Sequence, residues 1–491
     1  MNLSKSLFVR GVKCPKSLWL YKKSDIPRDE PDQGQEARFE TGRIVGELAR
    51  KLFPGGKEVV FDPGNFKGMI SQTRKWLDAG VDTIYEATIS AGGDFAMADI
   101  LRRDGDGFEI YEVKSSTSVK DYHLLDVAFQ YRAFSNFGLR IKRAFIIHID
   151  NSYVRKGELD IRGLFAIRDV TAEVVSMQGE IEEYRRKFSK MLRGKMPEVD
   201  IGPHCFDFYD CDYLSWCWRN VPEHSIFDLY RLARTKKFEL YRKGILKISD
   251  IPEGFRANAI QALQIETEKT GSVHVEREKI RQFLSRLSHP IHFFDFETFN
   301  EPVPRFDGQR PYMHIPFQYS LHILYEDGRV EHREFLADEN EDPRGHVISH
   351  MLKDIRPRGS IVAFNKVFEE GIIRGLADYD PLHRSELLGL LERFEDLLEP
   401  FRNGGYYHPE FNGSLSLKSV LPAIFPNEKG LDYSGLEIRN GEMAMETFAA
   451  LHQVKDRKER KRIRAALLEY CRLDTLALVR LYEFLREIAG L

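Results

Sequence analysis

The sequence contains no uncharged apolar run close to the roughly 18 residues that a membrane-spanning helix needs. Its first residues, MNLSKSLFVRGVKC, include no apolar stretch long enough for a secretory signal. Internal repeats and low-complexity tracts are absent as well. We therefore expect a globular cytoplasmic protein that does not enter the membrane and whose thiols are reduced.

An excess of charge of one sign is also missing, since the chain has 73 Lys and Arg residues, 76 Asp and Glu residues and a net charge of −3. A nucleic-acid-binding protein needs only a local positive surface, so this total does not exclude nucleic acid as a partner. The chain has 491 residues, of which 42% are hydrophobic and 30% are charged. This composition is ordinary for a globular protein, and the length predicts two or three domains.

Cysteine is scarce and unevenly distributed. Cys14 stands near the start, Cys471 stands alone near the end, and Cys205, Cys211 and Cys217 follow one another with five residues between neighbours. In a reducing compartment, clustered cysteines favour a metal over disulfides. Thiolate ligands suit an iron–sulfur cluster or zinc, although the Cys-x-x-Cys pair of a zinc ribbon is missing. The alternative is that these cysteines are small buried hydrophobic residues.

The most informative motif is FFDFETF, at residues 293–299. It predicts a strand so apolar that both of its faces are buried. Alternate strand residues point to one face, so Asp295 and Glu297 project together. Two like charges at the end of a buried strand are costly unless cations neutralise them. The motif therefore predicts part of a two-metal phosphodiester-cleaving site, and the alternative is a strand end with exposed acids.

Two further segments carry residues that would complete such a site. Glu369, in AFNKVFEEGI, enters a predicted helix directly after the predicted strand SIVAFN. The motif YCRLD supplies Tyr470 and Asp474 to a long predicted helix, over about residues 458–487. Residues four apart share a helix face, so these two side chains should lie together. For Tyr470 taken alone, core packing is the alternative interpretation.

This order of residues, Asp and Glu, then an acid, then Tyr-x-x-x-Asp, resembles the DEDD exonucleases of the ribonuclease-H-like fold, in their tyrosine variant. The resemblance implies that Asp295 contacts both of two Mg²⁺ or Mn²⁺ ions. It implies that Glu297, Glu369 and Asp474 are the other metal ligands, and that Tyr470 orients the attacking water. Most relatives have Asp at the position of Glu369.

The N-terminal part of the sequence predicts a second acidic site. Three strands are predicted within residues 81–114, and the sequence RRDGDG between the last two is typical of a hairpin. Glu112 and Lys114 alternate on the third strand and share a face, and the hairpin can bring Asp99 beside them. Two acids can hold a divalent cation, and a lysine beside them can stabilise charge or orient water. The alternative is a surface hairpin with a solvated ion pair.

A predicted helix over residues 121–134 follows these strands and contains Gln130. The order of helix, strand, Asp, Glu-x-Lys strand and helix with Gln resembles the RecB-like branch of the PD-(D/E)XK nucleases. The resemblance implies Asp99 and Glu112 as metal ligands, and Lys114 and Gln130 as further catalytic residues.

One position departs from that branch, because Gly46 stands where a metal-binding His is expected, with Glu47 and Glu86 as candidate replacements. The cysteines add to the resemblance, since some RecB-like nucleases carry one cysteine before the core and three after it, all bound to one cluster. The resemblance therefore implies a [4Fe–4S] cluster, with zinc as the alternative, on Cys14, Cys205, Cys211 and Cys217.

Nearly the whole chain resembles a bacterial family of uncharacterised fusion proteins, also through RPYMHIPFQYS and FEDLLEPFRNGGYYHPEFNGSLSLKSVLP. In the second motif Asp396 resembles a supporting acid, and Lys418 fits a phosphate contact and a capped helix start equally well. The resemblance implies an α/β fold in three parts. These are a RecB-like PD-(D/E)XK domain at residues 1–222, a small helical connector at 223–285, and a ribonuclease-H-like exonuclease domain at 286–491.

We therefore expect a metal-dependent nuclease with two independent sites that hydrolyses phosphodiester bonds and acts on DNA. Two alternatives remain at this point. One is an RNA-processing exonuclease, because a DEDD site does not itself select the sugar. The other is a nucleic-acid-binding scaffold with a degenerate N-terminal site, which Gly46 favours.

Overall fold

The computed structural model describes residues 3–30 and 33–491. By its internal contacts the chain forms two compact units. The first consists of Met1–Asn220 and Pro302–Tyr312, and the second consists of Val221–Glu301 and Met313–Leu491. Within the described ranges, no helix has both the length and the apolar character needed to cross a membrane.

The first unit contains a mixed sheet flanked by helices. Its described strands are β1 (Leu3–Ser4), β2 (Lys57–Glu58), β3 (Thr83–Ala91), β4 (Asp94–Asp104), β5 (Gly107–Lys114), β6 (Ile141–Ile149) and β7 (Phe165–Asp169). They are ordered β2-β3-β4-β5-β6-β7, and β1 adds to β4. Its described helices are α1 (Lys5–Lys13), α2 (Pro15–Lys23), α3 (Gln33–Ala49), α4 (Phe66–Asp78), α5 (Asp121–Asn136), α6 (Ile161–Leu164), α7 (Thr171–Ser176), α8 (Gln178–Met191) and α9 (Leu214–Cys217).

The predicted β4–β5 hairpin is confirmed, with Asp104 paired to Gly107 across the turn. Strand β5 is buried on both faces, because Ile110 packs in one cluster with residues of α5 and Tyr111 packs in another with residues of α3. Period-2 alternation places Glu112 on the Ile110 face, toward α5. This arrangement brings the Glu-x-Lys strand and the helix of Gln130 together.

The segment 302–312 belongs to the first unit, although it lies far along the sequence. The Arg155 N–H donates to the Gln309 carbonyl over 3.0 Å, and the Tyr312 hydroxyl donates to the Ser115 carbonyl. Val303 and Tyr312 pack against the apolar cluster on the α3 side of the sheet. The first unit therefore uses a piece of chain that lies, in sequence, between the two parts of the second unit.

The second unit contains a five-stranded sheet and many helices. Its described strands are β8 (His274–Val275), β9 (Ile291–Phe299), β10 (Ile315–Leu324), β11 (Val330–Leu336), β12 (Ile361–Ala363), β13 (Phe394–Asp396) and β14 (Tyr406–Tyr407). Its described helices are α10 (Arg234–Arg242), α11 (Ala259–Thr270), α12 (Arg277–Leu284), α13 (Pro343–Asp354), α14 (Val367–Tyr379), α15 (Arg384–Leu391), α16 (Glu399–Arg402), α17 (Leu417–Ile424), α18 (Gly441–Leu451) and α19 (Arg457–Ala489).

The main sheet of this unit has the order β11-β10-β9-β12-β13, with β14 and β8 paired separately. Strands β9, β10 and β11 are antiparallel neighbours, whereas β12 runs parallel to β9 and to β13. The predicted burial of the central strand β9 is confirmed, since Phe293 and Phe294 are 0% exposed and Phe296 is 3% exposed. The strand that carries Asp295 and Glu297 is therefore fixed on both sides.

The long predicted helix is confirmed as α19, which has 33 residues and packs on β9 and β10. The Asp456 side chain caps its start by accepting from the Glu459 N–H over 2.7 Å. The Gln318 amide on β10 donates to the Leu467 carbonyl over 2.8 Å, which fixes the helix against the sheet. Both units mix helices with sheets, so the predicted α/β class is confirmed. The predicted connector, 223–285, falls in the second unit.

Candidate functional site

The second unit brings the acids of FFDFETF together with α19. Asp295 and Glu297 stand opposite Ser320 and Gln318 in the β9–β10 register. One ligand atom each from Asp295, Glu297 and Cys471 lie within 4.8 Å of one another, a grouping able to hold a metal ion. Burial, followed by the neighbouring carboxylates, raises the pKa of Asp295 and of Glu297 well above ordinary values. The centre therefore disfavours its own negative charge, as expected of a site for divalent cations.

Glu369 reaches the same centre from the start of α14. Strand β12 ends at Ala363, and Asn365 then adopts a positive φ of 70°. The Asn365 N–H donates to Asp396 Oδ1 over 2.8 Å, which fixes this turn. Glu369 is 3% exposed, and burial raises its pKa to about 8. Among the described residues its Oε2 atom has no hydrogen-bond partner, which is unusual for a buried carboxyl group.

Asp474 completes the set of four carboxylates. Two phenols approach it, because Tyr433 donates to Asp474 Oδ1 over 2.6 Å and the Tyr470 phenol lies close enough to lower its pKa. Burial raises the pKa of Asp474 to about 6, against the opposing effects of Tyr433, Lys418 and Tyr470. Burial also raises the pKa of Tyr470 and of Tyr433, so both remain hydrogen-bond donors at neutral pH.

Lys418 is the basic group beside these carboxylates. Its ammonium lies 5.5 Å from the Tyr433 ring centre and 5.6 Å from that of Tyr470, and it donates to the Arg439 carbonyl over 2.7 Å. Burial lowers its pKa, whereas Asp474 and then Glu297 oppose this effect. Helix α17 begins at Leu417, so Lys418 stands at a helix start, as one of its two interpretations predicts. Its ammonium also lies near the carboxylates of Asp474 and Glu297.

Asp396 acts as a supporting residue of the same turn. Its carboxylate is 4% exposed and accepts from the Asn365 and Leu398 N–H groups and from the Arg402 guanidinium. These contacts fix the ends of β12 and β13. Asp396 therefore holds the segment that leads to Glu369.

Two residues of this centre were missed by the sequence prediction. Cys471 was treated as isolated, yet its Sγ lies 3.8 Å from Asp295 Oδ2. Tyr433 lies in a short 3₁₀ turn far from the motifs, and no local pattern marks it. The available signal for Cys471 was its place between Tyr470 and Asp474. For Tyr433 the signal exists only in three dimensions.

The first unit brings together its own predicted residues around Glu112. Lys114 Nζ lies 2.7 Å from Glu112 Oε1, and the Gln130 amide donates to Glu112 Oε2. Asp99 precedes Ile100, which pairs with Tyr111, so the hairpin places Asp99 opposite Glu112. The Val113 N–H donates to Asp99 Oδ2 over 2.6 Å. All four predicted residues therefore meet at one place on β4, β5 and α5.

The charges at this place differ between the two acids. Burial, and then the charge of Glu112, raises the pKa of Asp99 to about 7. Burial acts on Glu112 in the same direction, but the ammoniums of Lys114 and Lys5 outweigh it and lower the pKa of Glu112 to about 2. The charge of Glu112 is thus already compensated by lysines, whereas Asp99 is the acid whose ionised form a bound cation would stabilise.

Lys5 and Asp126 were not predicted for this site. Lys5 Nζ contacts Glu112 Oε1 at 2.5 Å, and Asp126 Oδ2 contacts Lys114 Nζ at 2.7 Å. Lys5 comes from the start of α1, directly after β1, which pairs with β4 at Asp94 and Phe95. Its separation of 107 residues from Glu112 explains why no motif contained it.

The position of Gly46 is open, because a Cβ atom built there meets nothing within 4 Å. Of the two candidate replacements, Glu47 is exposed and pairs with Arg43 on its own helix. Glu86 has a φ of 53° on β3, is 2.8 Å from Arg50, and its pKa is raised by burial and also by Glu112. The structure therefore places Glu86, and not Glu47, near the first-unit acids.

The four predicted cysteine ligands line one cavity. Its walls include Cys14, Cys205, Cys211 and Cys217. Burial raises the pKa of Cys217 to about 11, with opposition from Lys16 and added effects of the other three thiols. The thiols therefore lie within electrostatic reach of one another. Thiols are ligands of iron–sulfur clusters and of zinc, and the group that these four would bind stays a prediction.

A domain of unknown function, DUF2779, matches residues 292–416 of the chain. This range includes Asp295, Glu297 and Glu369 and ends before α19. No curated protein matches the chain. Among solved structures, "Crystal structure of SSO0001" is 14% identical, with a TM-score of 0.20, and the match covers 44% of this chain and 85% of that chain. A structural likeness at this level carries no argument about function.

Proposed function

We propose that this protein is a metal-dependent nuclease, and that its second unit is a 3′–5′ exonuclease acting on DNA. The observation that carries this proposal is the convergence of four carboxylates from one strand and two helices. Asp295 is half-buried and the other three are buried, and Glu369 has an oxygen without a donor among the described residues. The ionised form of such a group is costly unless bound cations neutralise it. The mixed sheet, with Asp295 and Glu297 on its central strand, is compatible with the ribonuclease-H-like fold that the motifs imply.

Two divalent ions held by Asp295, Glu297, Glu369 and Asp474 would activate water and stabilise the leaving oxygen. The chain itself would do the positioning. The Tyr470 hydroxyl, held by Asp474, would orient the attacking water. The Lys418 ammonium would compensate the charge of a phosphate that approaches the acids.

For the first unit we propose a second nuclease site of the RecB-like type. Asp99 and Glu112 would bind a divalent ion, with Glu86 as the third acidic group, and Lys114 and Gln130 would orient the reacting groups. The cysteine cavity would hold a [4Fe–4S] cluster, with zinc as the alternative.

The test is hydrolysis of labelled single- and double-stranded DNA and RNA with Mg²⁺ or Mn²⁺. Asp295→Ala should abolish stepwise shortening from a free 3′ end, while the exposed-site control Glu386→Gln should retain it. Glu112→Ala should remove any cleavage that survives Asp295→Ala. Unchanged cleavage by Asp295→Ala, or cleavage that starts only at internal positions, would contradict the exonuclease assignment.

The same assay separates the alternatives. Faster hydrolysis of RNA than of DNA would support the RNA-processing exonuclease. Tight binding of nucleic acid without hydrolysis by the wild-type protein would support a scaffold. Loss of cleavage with Glu112→Ala on one substrate and with Asp295→Ala on another would support two independent sites.

A further inference from the structure

The thiol of Cys471 lies inside the carboxylate centre and has no role in the proposed reaction. Cys471 is 0% exposed, and its Sγ is 3.8 Å from Asp295 Oδ2. A tetrahedral zinc ion, with Zn–S near 2.3 Å and Zn–O near 2.0 Å, separates its sulfur and oxygen ligands by about 3.5 Å. The sulfur and the carboxylate oxygen therefore need only a small movement to bind the same ion.

A second carboxylate is within reach of that ion. One ligand atom of Glu297 lies within 4.8 Å of those of Asp295 and Cys471. Glu369 contributes an independent indication of a ligand, because it is buried and its Oε2 atom has no donor among the described residues. Its charge acts on both Asp295 and Glu297, so this carboxylate faces the same place. The place thus combines one sulfur with several oxygens.

We propose that Asp295, Glu297 and Cys471 form a binding site for a thiophilic divalent cation, Zn²⁺, distinct in ligand chemistry from the Mg²⁺ or Mn²⁺ of the reaction. Mg²⁺ requires oxygen ligands in octahedral geometry and gains nothing from sulfur. Zn²⁺ accepts a thiolate and two carboxylates in tetrahedral geometry. On binding, the Cys471 thiol releases its proton to solvent and its sulfur becomes the third protein ligand.

Occupation by Zn²⁺ blocks the centre. Asp295 is the ligand expected to contact both reaction ions, so a zinc ion held by Asp295 and Cys471 displaces at least one of them. Micromolar Zn²⁺ should then inhibit hydrolysis in excess Mg²⁺. This consequence rests on the proposed function, whereas the binding itself does not.

Binding is tested with Cd²⁺, which gives an ultraviolet sulfur-to-cadmium charge-transfer band. The full-length wild-type protein should bind one more equivalent of Cd²⁺ through sulfur than Cys471→Ser, and the band from the first-unit thiols should be common to both. Cys471→Ala is the second variant, and circular dichroism checks that each is folded. Equal bands and equal stoichiometry would overturn the proposal. If both variants misfold, ¹¹³Cd resonances of the wild-type protein decide, because a site with one sulfur differs from an all-thiolate site.

Inhibition is tested by titrating Zn²⁺ into the Mg²⁺-dependent reaction. Loss of a residue that only hydrogen-bonds to a metal ligand typically weakens metal binding about 10–100-fold. Loss of a ligand itself should cost no less, so Cys471→Ser should need at least about tenfold more Zn²⁺ for half-inhibition. The rate of each protein is normalised to its own rate in Mg²⁺ alone. Identical Zn²⁺ sensitivity would overturn the inhibitory role. If the wild-type protein has no nuclease activity, the proposed function fails while the Cd²⁺ result still decides whether the site exists.

Discussion

Replacing Glu369 by Gln should stabilise the metal-free protein. Burial raises the pKa of Glu369 from 4.5 to about 8, so at pH 7 the folded protein holds a proton that the unfolded chain has released. Each pH unit of this difference corresponds to 1.36 kcal/mol. Over the interval from pH 4.5 to pH 7, the cost in free energy of unfolding is about 3 kcal/mol. A neutral amide of similar shape avoids this cost.

The sign of the pH dependence follows from the raised pKa. Below pH 4.5, Glu369 is protonated in the folded and in the unfolded state, so its ionisation does not lower the free energy of unfolding. As the pH rises from 4.5 toward 8, the ionisation of Glu369 in the unfolded chain progressively lowers the free energy of unfolding. The advantage of Glu369→Gln should therefore be absent at pH 4, grow through pH 7, and stop growing above pH 8. Divalent cations should reverse the order, because Mg²⁺ or Mn²⁺ stabilises only a protein that can bind them.

The assay is equilibrium unfolding in EDTA across this pH range. All four tryptophans lie within residues 1–220, so their fluorescence reports the first unit. Hydrogen exchange of peptides from β9 reports the second unit, where the change should appear. The control is Glu386→Gln, an exposed carboxylate on α15. Equal stability of Glu369→Gln and wild type in EDTA at pH 7, or a difference independent of pH, would refute the reasoning.

Three further outcomes are expected. Tyr470→Phe should retain measurable exonuclease activity, reduced by about 10²–10⁴-fold, because the metal ligands remain, whereas Asp295→Ala should leave none in a product-ladder assay. Lys5→Met removes an ammonium from Glu112 and should lower the Mn²⁺ concentration for half-saturation of the first-unit site, on the order of tenfold. An unchanged Mn²⁺ titration would contradict the idea that the Lys5 ammonium and the metal ion compete for Glu112. Protein purified without oxygen should be brown and contain iron and sulfide, and Cys14→Ser should lose iron and lower the unfolding temperature reported by tryptophan fluorescence; colourless protein with stoichiometric zinc would contradict the iron–sulfur assignment.

Local sequence patterns were sufficient to predict the strands and helices that carry the two sites, and some of the side chains in each site. The alternation in FFDFETF predicted a buried strand with two acids on one face, and the spacing in YCRLD predicted that Tyr470 and Asp474 share a helix face. Both patterns act over a few residues, where strand and helix geometry alone fixes direction. The hairpin that pairs β4 with β5 was predictable for the same reason.

Residues that reach a site from distant chain segments without a motif of their own were not predictable. Lys5 comes from α1, Tyr433 comes from a 3₁₀ turn, and the direction of each side chain depends on tertiary packing. Glu86 was one of two candidates until the structure showed that Glu47 pairs with Arg43 on the exposed side of its helix. Cys471 was assigned no role, although it stands between Tyr470 and Asp474, because no second cysteine lies near it in the sequence to suggest a shared metal.

The segment 302–312 has a consequence for experiments on isolated parts of this protein. The chain passes from one unit to the other three times, so no single cut separates them. A fragment of residues 1–220 would lack Val303 and Tyr312 and would expose the apolar surface that they cover on the α3 side of the sheet. If this fragment is poorly soluble, the exposed apolar surface is the cause, and the intact first unit need not share that property. Expression of the first unit alone therefore needs residues 302–312 supplied in the same chain, or point variants of the full-length protein in place of truncation.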